Sequence, residues 1–213
     1  MFSQRNRKRS NITEQAELIK EKLLFARKFA AAPRTVGSVT PSSPQLVSSM
    51  FQNVDWQKTE VVAELGAGTG VMTKEILKRK DPGSRFFAFE IEKELRGRLE
   101  NDLKIDVYDD AAKLPQVLKA ADCKSADLIV SGLPFAVLPN SVTVAVMRAV
   151  LRALSDDGTF IAFQYSYHMK STFERLFEDV STRLVVMNIP PAVVYECRGV
   201  KKQHVPAMCR KEQ

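Results

Sequence analysis

The sequence predicts an α/β protein with a doubly wound, seven-stranded and mostly parallel sheet. Short apolar segments alternate with segments of helical periodicity between residues 61 and 178, which is typical of strand–helix–strand units. A glycine-rich turn, ELGAGTG, joins the first strand to the next helix. The last two apolar segments are separated by only about four residues, including Pro190 and Pro191, so these two strands must run antiparallel.

An amphipathic helix is predicted ahead of the sheet. Thr13 is a suitable N-cap for a helix over residues 13–31, with acidic residues in the first turns, basic residues later and one broad apolar face. The hydroxyl-rich loop PRTVGSVTPSS, residues 33–43, follows it. Ser43 as N-cap and Pro44 at the first helical position then predict a short second helix.

The elements of the sheet domain follow from periodicity and turn residues. The predicted strands are short apolar runs: 61–65, 85–91, 104–109, 126–133, 159–166, 182–188 and 192–198. The predicted helices lie between them: 70–80, 92–100, 112–120, 140–154 and 168–178. The sequences DPGS (81–84) and SDDG (155–158) predict turns.

Charge divides the chain into three parts. The 213 residues carry a net charge of +7, of which +6 lies in residues 1–34 and +3 in residues 195–213. We therefore expect a basic arm over 1–42, the α/β domain over 43–199 and a basic flexible tail over 200–213. Such an arm attracts a polyanion, either RNA or an anionic membrane surface.

Composition excludes several classes of protein. No run of 18 apolar residues exists, so no segment is expected to span a membrane, and the basic N-terminus lacks the apolar region of a secretory signal. The three cysteines lie far apart with no CxxC pair, which argues against a disulfide framework or a metal site. We expect a cytoplasmic monomer.

The glycine-rich turn distinguishes between two kinds of ligand. A dinucleotide site has the spacing GxGxxG, whereas Gly66, Gly68 and Gly70 have the spacing GxGxG. Glu64, two residues earlier, would repel a pyrophosphate but suits an amino-bearing ligand. Glu90 ends the second strand, where a ribose diol can be held.

Asp110 adds a third acid after the third strand. Three acids without a lysine near the loop suit a nucleoside that carries an amino acid, which describes S-adenosylmethionine (SAM). The segments ELGAGTG, FFAFEI and DDAAKL resemble motifs I, II and III of class I SAM-dependent methyltransferases, over about residues 60–165. This resemblance implies a Rossmann-like fold and SAM as cofactor, with S-adenosylhomocysteine as product.

The resemblance also implies the roles of individual residues. The three glycines would cradle the methionine and ribose, Glu64 would organise that loop and Glu90 would bind the ribose hydroxyls. Asp110, beside Ala111, would meet the adenine amino group. The expected cofactor-binding residues are Glu64, Gly66, Gly68, Gly70, Glu90, Ile91, Asp110, Ala111, Ser131, Ser38 and Thr40.

The stretch SGLPFAVLP, residues 131–139, bears on the methyl acceptor. Nucleic-acid amino-methyltransferases have Asn or Asp at the position of Ser131 here, where the polar group binds the target amine. A serine cannot offer an adenine edge the paired acceptor and donor of an amide. Phe135 retains the aromatic position, and its ring suits a developing ammonium group.

Further segments resemble the bacterial phospholipid N-methyltransferases, which convert phosphatidylethanolamine stepwise to phosphatidylcholine. SGLPF, PRTVGSVTPSS, FQYS (163–166) and NIPPAVVYECR (188–198) carry this resemblance, over about residues 18–198. It implies a phospholipid acceptor and a peripheral enzyme at the inner membrane surface, docked by the basic amphipathic helix. Ribosomal RNA adenine dimethyltransferases are the related alternative, but their additional helical domain is expected to be absent.

The sequence offers several candidate residues for the acceptor site. We expect Ser131, Phe135 and Tyr165 to be catalytic. The expected substrate-binding residues are three aromatic residues for the nitrogen and two arginines for the lipid phosphate: Phe135, Tyr165, Tyr195, Arg198 and Arg34. No base is compelling: His168, Tyr165 and Asp109 are the options for removing a proton from the amine.

Overall fold

A seven-stranded sheet forms the centre of the protein in the computed structural model, which describes residues 43–201. The strands are β1 Val61–Leu65, β2 Arg85–Phe89, β3 Val107–Tyr108, β4 Ala126–Ser131, β5 Leu154–Gln164, β6 Phe177–Val185 and β7 Ala192–Val200. Their order is β3-β2-β1-β4-β5-β7-β6, with β1 to β5 parallel and β7 antiparallel to both neighbours. This arrangement confirms the predicted fold class.

Helices cover both faces of the sheet. Six α-helices occur among the described residues: α1 Pro44–Phe51, α2 Val71–Arg79, α3 Lys93–Leu103, α4 Leu114–Ala120, α5 Asn140–Ala153 and α6 Lys170–Leu176. The start of α1 is as predicted, because the Oγ atom of Ser43 accepts a hydrogen bond from the Leu46 amide at 3.1 Å and Pro44 follows it.

The apolar core has two layers, one on each face of the sheet. The first layer lies under α4, α5 and α6 and contains an aromatic cluster around Phe173. The rings of Phe160 and Tyr195 meet Phe173 edge-on at 5.6 and 5.1 Å between centroids. The second layer lies under α1 and α2, where Met50 and Ile76 are fully buried. Each such side chain contributes about 1.5–3 kcal/mol through burial, so the two layers fix the sheet that carries the site.

Several boundaries differ from the sequence-based predictions. β5 begins at Leu154, because residues 155–158 continue the strand instead of forming a turn. β6 spans Phe177–Val185 rather than 182–188, and the predicted helix over 168–178 ends at Leu176. β6 lies at the edge of the sheet, where Glu178 and Asp179 are exposed, so its sequence lacks the apolar run that identifies a buried strand.

The predicted arm and tail fall outside the described part of the chain. This applies to the helix expected over 13–31, to most of the loop over 33–43 and to residues 202–213. Among residues 43–201, no helix combines the length and apolar character needed to cross a bilayer.

Candidate cofactor and acceptor site

The glycine-rich loop lies where β1 ends and α2 begins. Gly66, Gly68 and Gly70 have φ values of +82°, +64° and +81°, which side chains other than glycine rarely adopt. A Cβ atom at Gly66 would lie 2.8 Å from Cδ2 of Leu133, and one at Gly70 would lie 2.6 Å from Cδ2 of Leu99. The loop therefore needs glycine for its backbone conformation and for its close contacts with neighbouring elements.

Glu90 is the carboxylate that holds this loop. Its Oε2 atom accepts a hydrogen bond from the Gly68 amide at 2.8 Å, and Oε1 accepts one from the Glu92 amide at 2.9 Å. The residue is almost fully buried at the carboxyl end of β2. The sequence reasoning gave the organisation of the loop to Glu64 and did not assign this contact to Glu90.

Glu64 instead joins β1 to the helix after the loop. Its Oε2 atom accepts a hydrogen bond from the Thr73 hydroxyl at 2.7 Å. Its Oε1 atom is buried and has no hydrogen-bond partner within the described residues. The pKa of Glu64 is raised to about 7, mainly because the carboxyl is buried. The hydrogen bond from Thr73 lowers this pKa, and the nearby charge of Glu90 raises it.

Asp110 caps a short 3-10 helix rather than standing free. Its Oδ1 atom accepts a hydrogen bond from the Ala112 amide at 2.9 Å, and Oδ2 lies 4.0 Å from Nζ of Lys113. Its side chain is 46% exposed, so it can still accept from a ligand. Ile91 and Ala111 are partly exposed, Ile91 beside Glu90 and Ala111 beside Asp110. These residues share the carboxyl edge of the sheet with the glycine loop.

The loop after β4 lies against the glycine-rich loop. The Gly132 amide donates to the Leu65 carbonyl at 2.9 Å, and the Leu133 amide donates to Oγ of Ser131 at 3.3 Å. Ser131 is fully buried. A Cβ atom at Gly132 would lie 3.1 Å from the Gly66 carbonyl oxygen, so the two loops leave no room for a side chain between them.

Phe135 and Tyr195 are core residues, which corrects two predictions of acceptor binding. Phe135 is 4% exposed and meets Phe173 edge-on at 6.2 Å between ring centroids. Tyr195 is fully buried, and its hydroxyl donates to the Ser166 carbonyl at 3.0 Å. Both rings lie on the face of the sheet that is covered by α6, where they pack with Phe173 in the apolar core. Neither ring presents a surface to an acceptor.

Arg198 lies at the wrong end of the sheet for the predicted phosphate contact. It pairs in register with Thr159, whereas the carboxyl end of β5, Gln164, pairs with Val193. Five residues of strand separate these positions, about 17 Å. Arg198 instead makes an ion pair with Glu196 at 2.9 Å. The predicted residues Arg34, Ser38 and Thr40 lie outside the described residues.

Tyr165 has the accessibility that an acceptor residue needs. It follows β5 and is 37% exposed, and its ring meets Phe163 edge-on at 5.8 Å. Burial raises the pKa of its hydroxyl, and a hydrogen bond with Asn188 acts against this shift. Nothing in the contacts of Tyr165 conflicts with its predicted role, which stays a prediction.

The other two candidate bases are exposed side chains with partners close in sequence. His168 Nδ1 lies 3.0 Å from the Ser166 hydroxyl, and burial lowers the pKa of the imidazole. Asp109 forms an ion pair with Lys113 at 3.3 Å. Neither contact singles out a base for the amine.

Two residues that the sequence reasoning passed over complete the site. Gln164 is buried, and its Nε2 atom donates to the Leu133 carbonyl at 2.8 Å. Asn188 is also buried, and its Oδ1 atom accepts from the Ser43 amide at 3.1 Å. Both occur in the stretches FQYS and NIPPAVVYECR, but a lone amide residue in an apolar segment carries no spacing signal.

The residues present fit SAM. The glycine loop presents backbone without side chains at the end of β1, and the Oε1 atom of Glu64, which has no partner within residues 43–201, is a buried acceptor suited to a cationic or amino-bearing ligand. Glu90 and Asp110 lie along the same edge in the positions expected for ribose and adenine. Among residues 43–201, no group of three or more His, Cys, Asp or Glu side chains forms a metal site.

Solved structures share this fold. The precorrin-6y C5,15-methyltransferase of Geobacter metallireducens superposes with a TM-score of 0.58 at 16% identity, over 79% of this chain and 92% of that one. A SAM-dependent O-methyltransferase of Thermotoga maritima gives a TM-score of 0.55 at 13% identity, over 79% and 69% of the chains. The protein therefore has the fold of the class I SAM-dependent methyltransferases.

Sequence comparison identifies the family within this class. The ornithine lipid N-methyltransferase of Singulisphaera acidiphila is 35% identical over 190 residues, which cover 86% of this chain and 99% of the relative. This chain belongs to the same family of N-methyltransferases, and its cofactor is SAM. The family expected from the motifs is thereby confirmed.

More distant relatives match only part of the chain. The ribosomal RNA small subunit methyltransferase A of Thermotoga neapolitana is 29% identical over 117 residues, which cover 54% of this chain and 41% of the relative. No family model matches the chain.

Proposed function

We propose that this enzyme transfers a methyl group from SAM to the head-group amine of a membrane lipid, with ornithine lipid as the first candidate. The observation that carries this proposal is the 35% identity to an ornithine lipid N-methyltransferase along nearly the whole of both chains. Phosphatidylethanolamine, the acceptor expected from the sequence motifs, is the second candidate. Both lipids present an amine beside an anionic group.

The geometry supports an aliphatic amine rather than an adenine as acceptor. Ser131 is buried and its Oγ atom accepts from the Leu133 amide, so it offers no amide edge to a base. The carbonyl oxygen of Leu133 is engaged by Gln164. Tyr165 is an accessible aromatic residue at this edge, and its ring can contact a methylated, positively charged nitrogen.

The reaction needs positioning more than acid–base chemistry. SAM, when bound, supplies a methyl group that is already activated on a sulfonium. The role proposed for the glycine loop, Glu90 and Asp110 is to hold the cofactor, with Ile91, Ala111 and Ser131 completing its contacts. The role proposed for Tyr165 is to contact the acceptor nitrogen. Orientation of this kind accounts for about 7–11 kcal/mol of barrier lowering in well-aligned systems.

We also propose that the enzyme works as a monomer at the inner membrane surface. The lipid acceptor requires contact with a bilayer, and residues 1–42 carry nine basic and three acidic side chains that favour anionic lipid. RNA is the alternative polyanion, favoured by the partial match to a ribosomal RNA methyltransferase.

The test is transfer of labelled methyl from SAM to three acceptors in parallel. These are phosphatidylglycerol vesicles containing ornithine lipid, the same vesicles containing phosphatidylethanolamine, and total RNA. We expect label in ornithine lipid, and vesicles of phosphatidylglycerol alone provide the amine-free control. Label only in phosphatidylethanolamine would replace the first candidate by the second, whereas label only in RNA would refute a lipid acceptor.

A further inference from the structure

The turn between β6 and β7 exposes several large apolar side chains. Leu184, Val186, Met187 and Ile189 are 55%, 63%, 68% and 70% exposed, and we call residues 184–189 the hairpin tip. No charged residue occurs from Leu184 to Tyr195. A cluster of exposed apolar residues of this kind marks an interaction surface.

The hairpin tip lies beside the acceptor end of the site. Gln164, the last residue of β5, pairs with Val193 of β7, so the turn before β7 extends beyond the carboxyl end of β5. The glycine-rich loop follows β1 at the same edge of the sheet. Tyr165 directly follows Gln164 and is 37% exposed at this end of the sheet. A surface that docks on the tip therefore meets the exposed ring of Tyr165.

The tip is held firmly beneath its apolar side chains. Asn188 is 1% exposed, and its Nδ2 atom donates to the Pro190 carbonyl at 2.6 Å. Its Oδ1 atom accepts from the amide of Ser43, the first described residue. The exposed side chains of Val186, Met187 and Ile189 therefore project from a fixed turn.

The sequence that precedes the described residues is basic. The 42 residues before Ser43 carry nine basic and three acidic side chains, a net charge of +6. The described chain begins at the tip, because the Ser43 amide donates a hydrogen bond to Asn188. An apolar tip in a protein with a cationic N-terminal sequence matches the apolar interior and anionic surface of a bilayer.

We propose that the hairpin tip is a membrane-docking element that inserts Val186, Met187 and Ile189 into the interface of an anionic bilayer. This inference rests on the proposed lipid acceptor and adds the surface through which that lipid is reached. Docking places the carboxyl edge of the sheet, with Tyr165 and the SAM site, against the lipid head groups. The alternative is that a second copy of the chain binds the same surface, and the test must distinguish this self-association from membrane docking.

The test uses the full-length double variant Val186→Asp/Met187→Asp. Both side chains are more than 60% exposed, so their replacement leaves the core intact and the thermal midpoint is the check. Asn101→Asp/Gln116→Asp adds the same charge at exposed positions of α3 and α4 and is the matched control. Val186→Thr/Met187→Gln removes apolar character without adding charge.

The first readout is cosedimentation with phosphatidylglycerol vesicles. We expect the aspartate variant to bind at least about tenfold more weakly than the wild type and the neutral variant to be weakened in the same direction, because apolar burial is lost. We expect the control to bind within about twofold of the wild type, because added charge away from the tip changes only screened, long-range attraction.

The second readout separates docking from chemistry. Methyl transfer to acceptor lipid in vesicles should fall with vesicle binding, whereas transfer to a short-chain, water-soluble analogue of the same lipid should stay within about twofold, because the active site is unchanged. Vesicle binding by the aspartate variant at wild-type strength would overturn the proposal. So would a dimeric wild type that becomes monomeric in the variant with no change in vesicle binding. If the wild type binds vesicles through the tip but methylates no lipid, the proposed function fails and the docking surface stands.

Discussion

Gln164 donates a hydrogen bond from Nε2 to the carbonyl oxygen of Leu133 at 2.8 Å, which joins the end of β5 to the loop after β4. The same nitrogen lies 2.6 Å from the Phe163 carbonyl, and the side chain is 3% exposed. The loop is also bonded to Leu65 at the end of β1 through the Gly132 amide. One buried amide therefore aligns the segment that contains the acceptor motif with the strand that precedes the cofactor loop.

Replacing Gln164 with Leu should impair methyl transfer more than SAM binding. The Leu133 carbonyl would be left without its side-chain donor, at a cost of about 1–3 kcal/mol in stability, and the loop would lose its alignment. We expect kcat to fall about tenfold while the SAM dissociation constant stays within about twofold. Methyl-transfer kinetics and calorimetric titration of SAM measure the two effects. Gln164→Glu, which keeps the shape but loses the donor when ionised, should behave like Gln164→Leu; wild-type kcat in both variants would exclude the alignment role.

Glu90→Ala should abolish SAM binding while the fold survives. The substitution removes the acceptor for the Gly68 amide and the carboxylate proposed for the ribose hydroxyls. Loss of hydrogen bonds to a charged group costs about 1.5–3 kcal/mol each, so affinity should fall at least about a hundredfold. Titration with SAM measures this effect, and circular dichroism verifies the fold. Glu90→Gln keeps an acceptor oxygen and should retain part of the affinity; unchanged SAM affinity in Glu90→Ala would show that the site lies elsewhere.

The cofactor half of the site was predictable from sequence because it depends on local spacing. Gly66, Gly68 and Gly70 occur within five residues, and each acid follows or ends a strand that the apolar pattern already indicates. Parallel strands bring their carboxyl ends to one edge, so these residues meet without further information. The sequence could not show that Glu90, rather than Glu64, bonds the loop, because that choice depends on which carboxylate reaches the Gly68 amide.

The acceptor half was less predictable because it depends on which way each side chain faces. Phe135 and Tyr195 lie in motif segments and were predicted to bind the substrate, but both pack against Phe173 in the core. Arg198 reads as a phosphate ligand, yet the antiparallel direction of β7 carries it away from the site. Gln164 and Asn188 act through contacts with residues 31 and 145 positions away, which no local pattern indicates.

Glu64→Gln should change how stability depends on pH. The pKa of the Glu64 carboxyl is raised from 4.5 to about 7 in the folded protein, so the folded state favours its protonated form. Its contribution to stability is complete below pH 4.5 and is lost as pH rises through about 7. Relative to Glu64→Gln, the wild type should therefore lose up to about 3 kcal/mol between pH 4.5 and 8.

Urea unfolding of both proteins at pH 5 and pH 8 measures this difference. The comparison cancels groups that titrate equally in both proteins, since only residue 64 differs. Thr73→Val removes the hydrogen bond to Glu64 Oε2, so it should raise the pKa of the carboxyl further and steepen the loss. If wild type and Glu64→Gln differ in free energy of unfolding by the same amount at both pH values, the carboxyl of Glu64 is ionised throughout this range.

Glu196→Ala should destabilise the β6–β7 hairpin and its contact with α1. Glu196 is 7% exposed and accepts hydrogen bonds from Arg183 at 3.1 Å, Arg198 at 2.9 Å and Asn53 at 2.9 Å. Removing one partner of a buried charge network costs about 3–5 kcal/mol. Chemical denaturation measures this loss. Arg198→Ala is the control, because its side chain is half exposed and its loss should cost at most about 1 kcal/mol. Equal losses for the two variants would contradict a dominant role for the buried carboxylate.

Gly132→Ala and Gly97→Ala should act in opposite directions, although each adds one methyl group. A Cβ atom at Gly132 would lie 2.9 Å from Cε of Met72 and 3.1 Å from the Gly66 carbonyl oxygen, so the loops around the cofactor must separate. At Gly97, inside α3, nothing lies within 4 Å of the added atom, and alanine favours the helix by about 0.5–1 kcal/mol.

We expect Gly132→Ala to weaken SAM binding about tenfold and to lower the free energy of unfolding by about 1–3 kcal/mol, as for overpacking. Gly97→Ala should raise that free energy and leave SAM binding unchanged. Because Met72 is flexible and the Gly66 backbone is not, the additional variant Met72→Ala should restore little SAM affinity to Gly132→Ala; full restoration would place the strain on the methionine instead of on the cofactor loop.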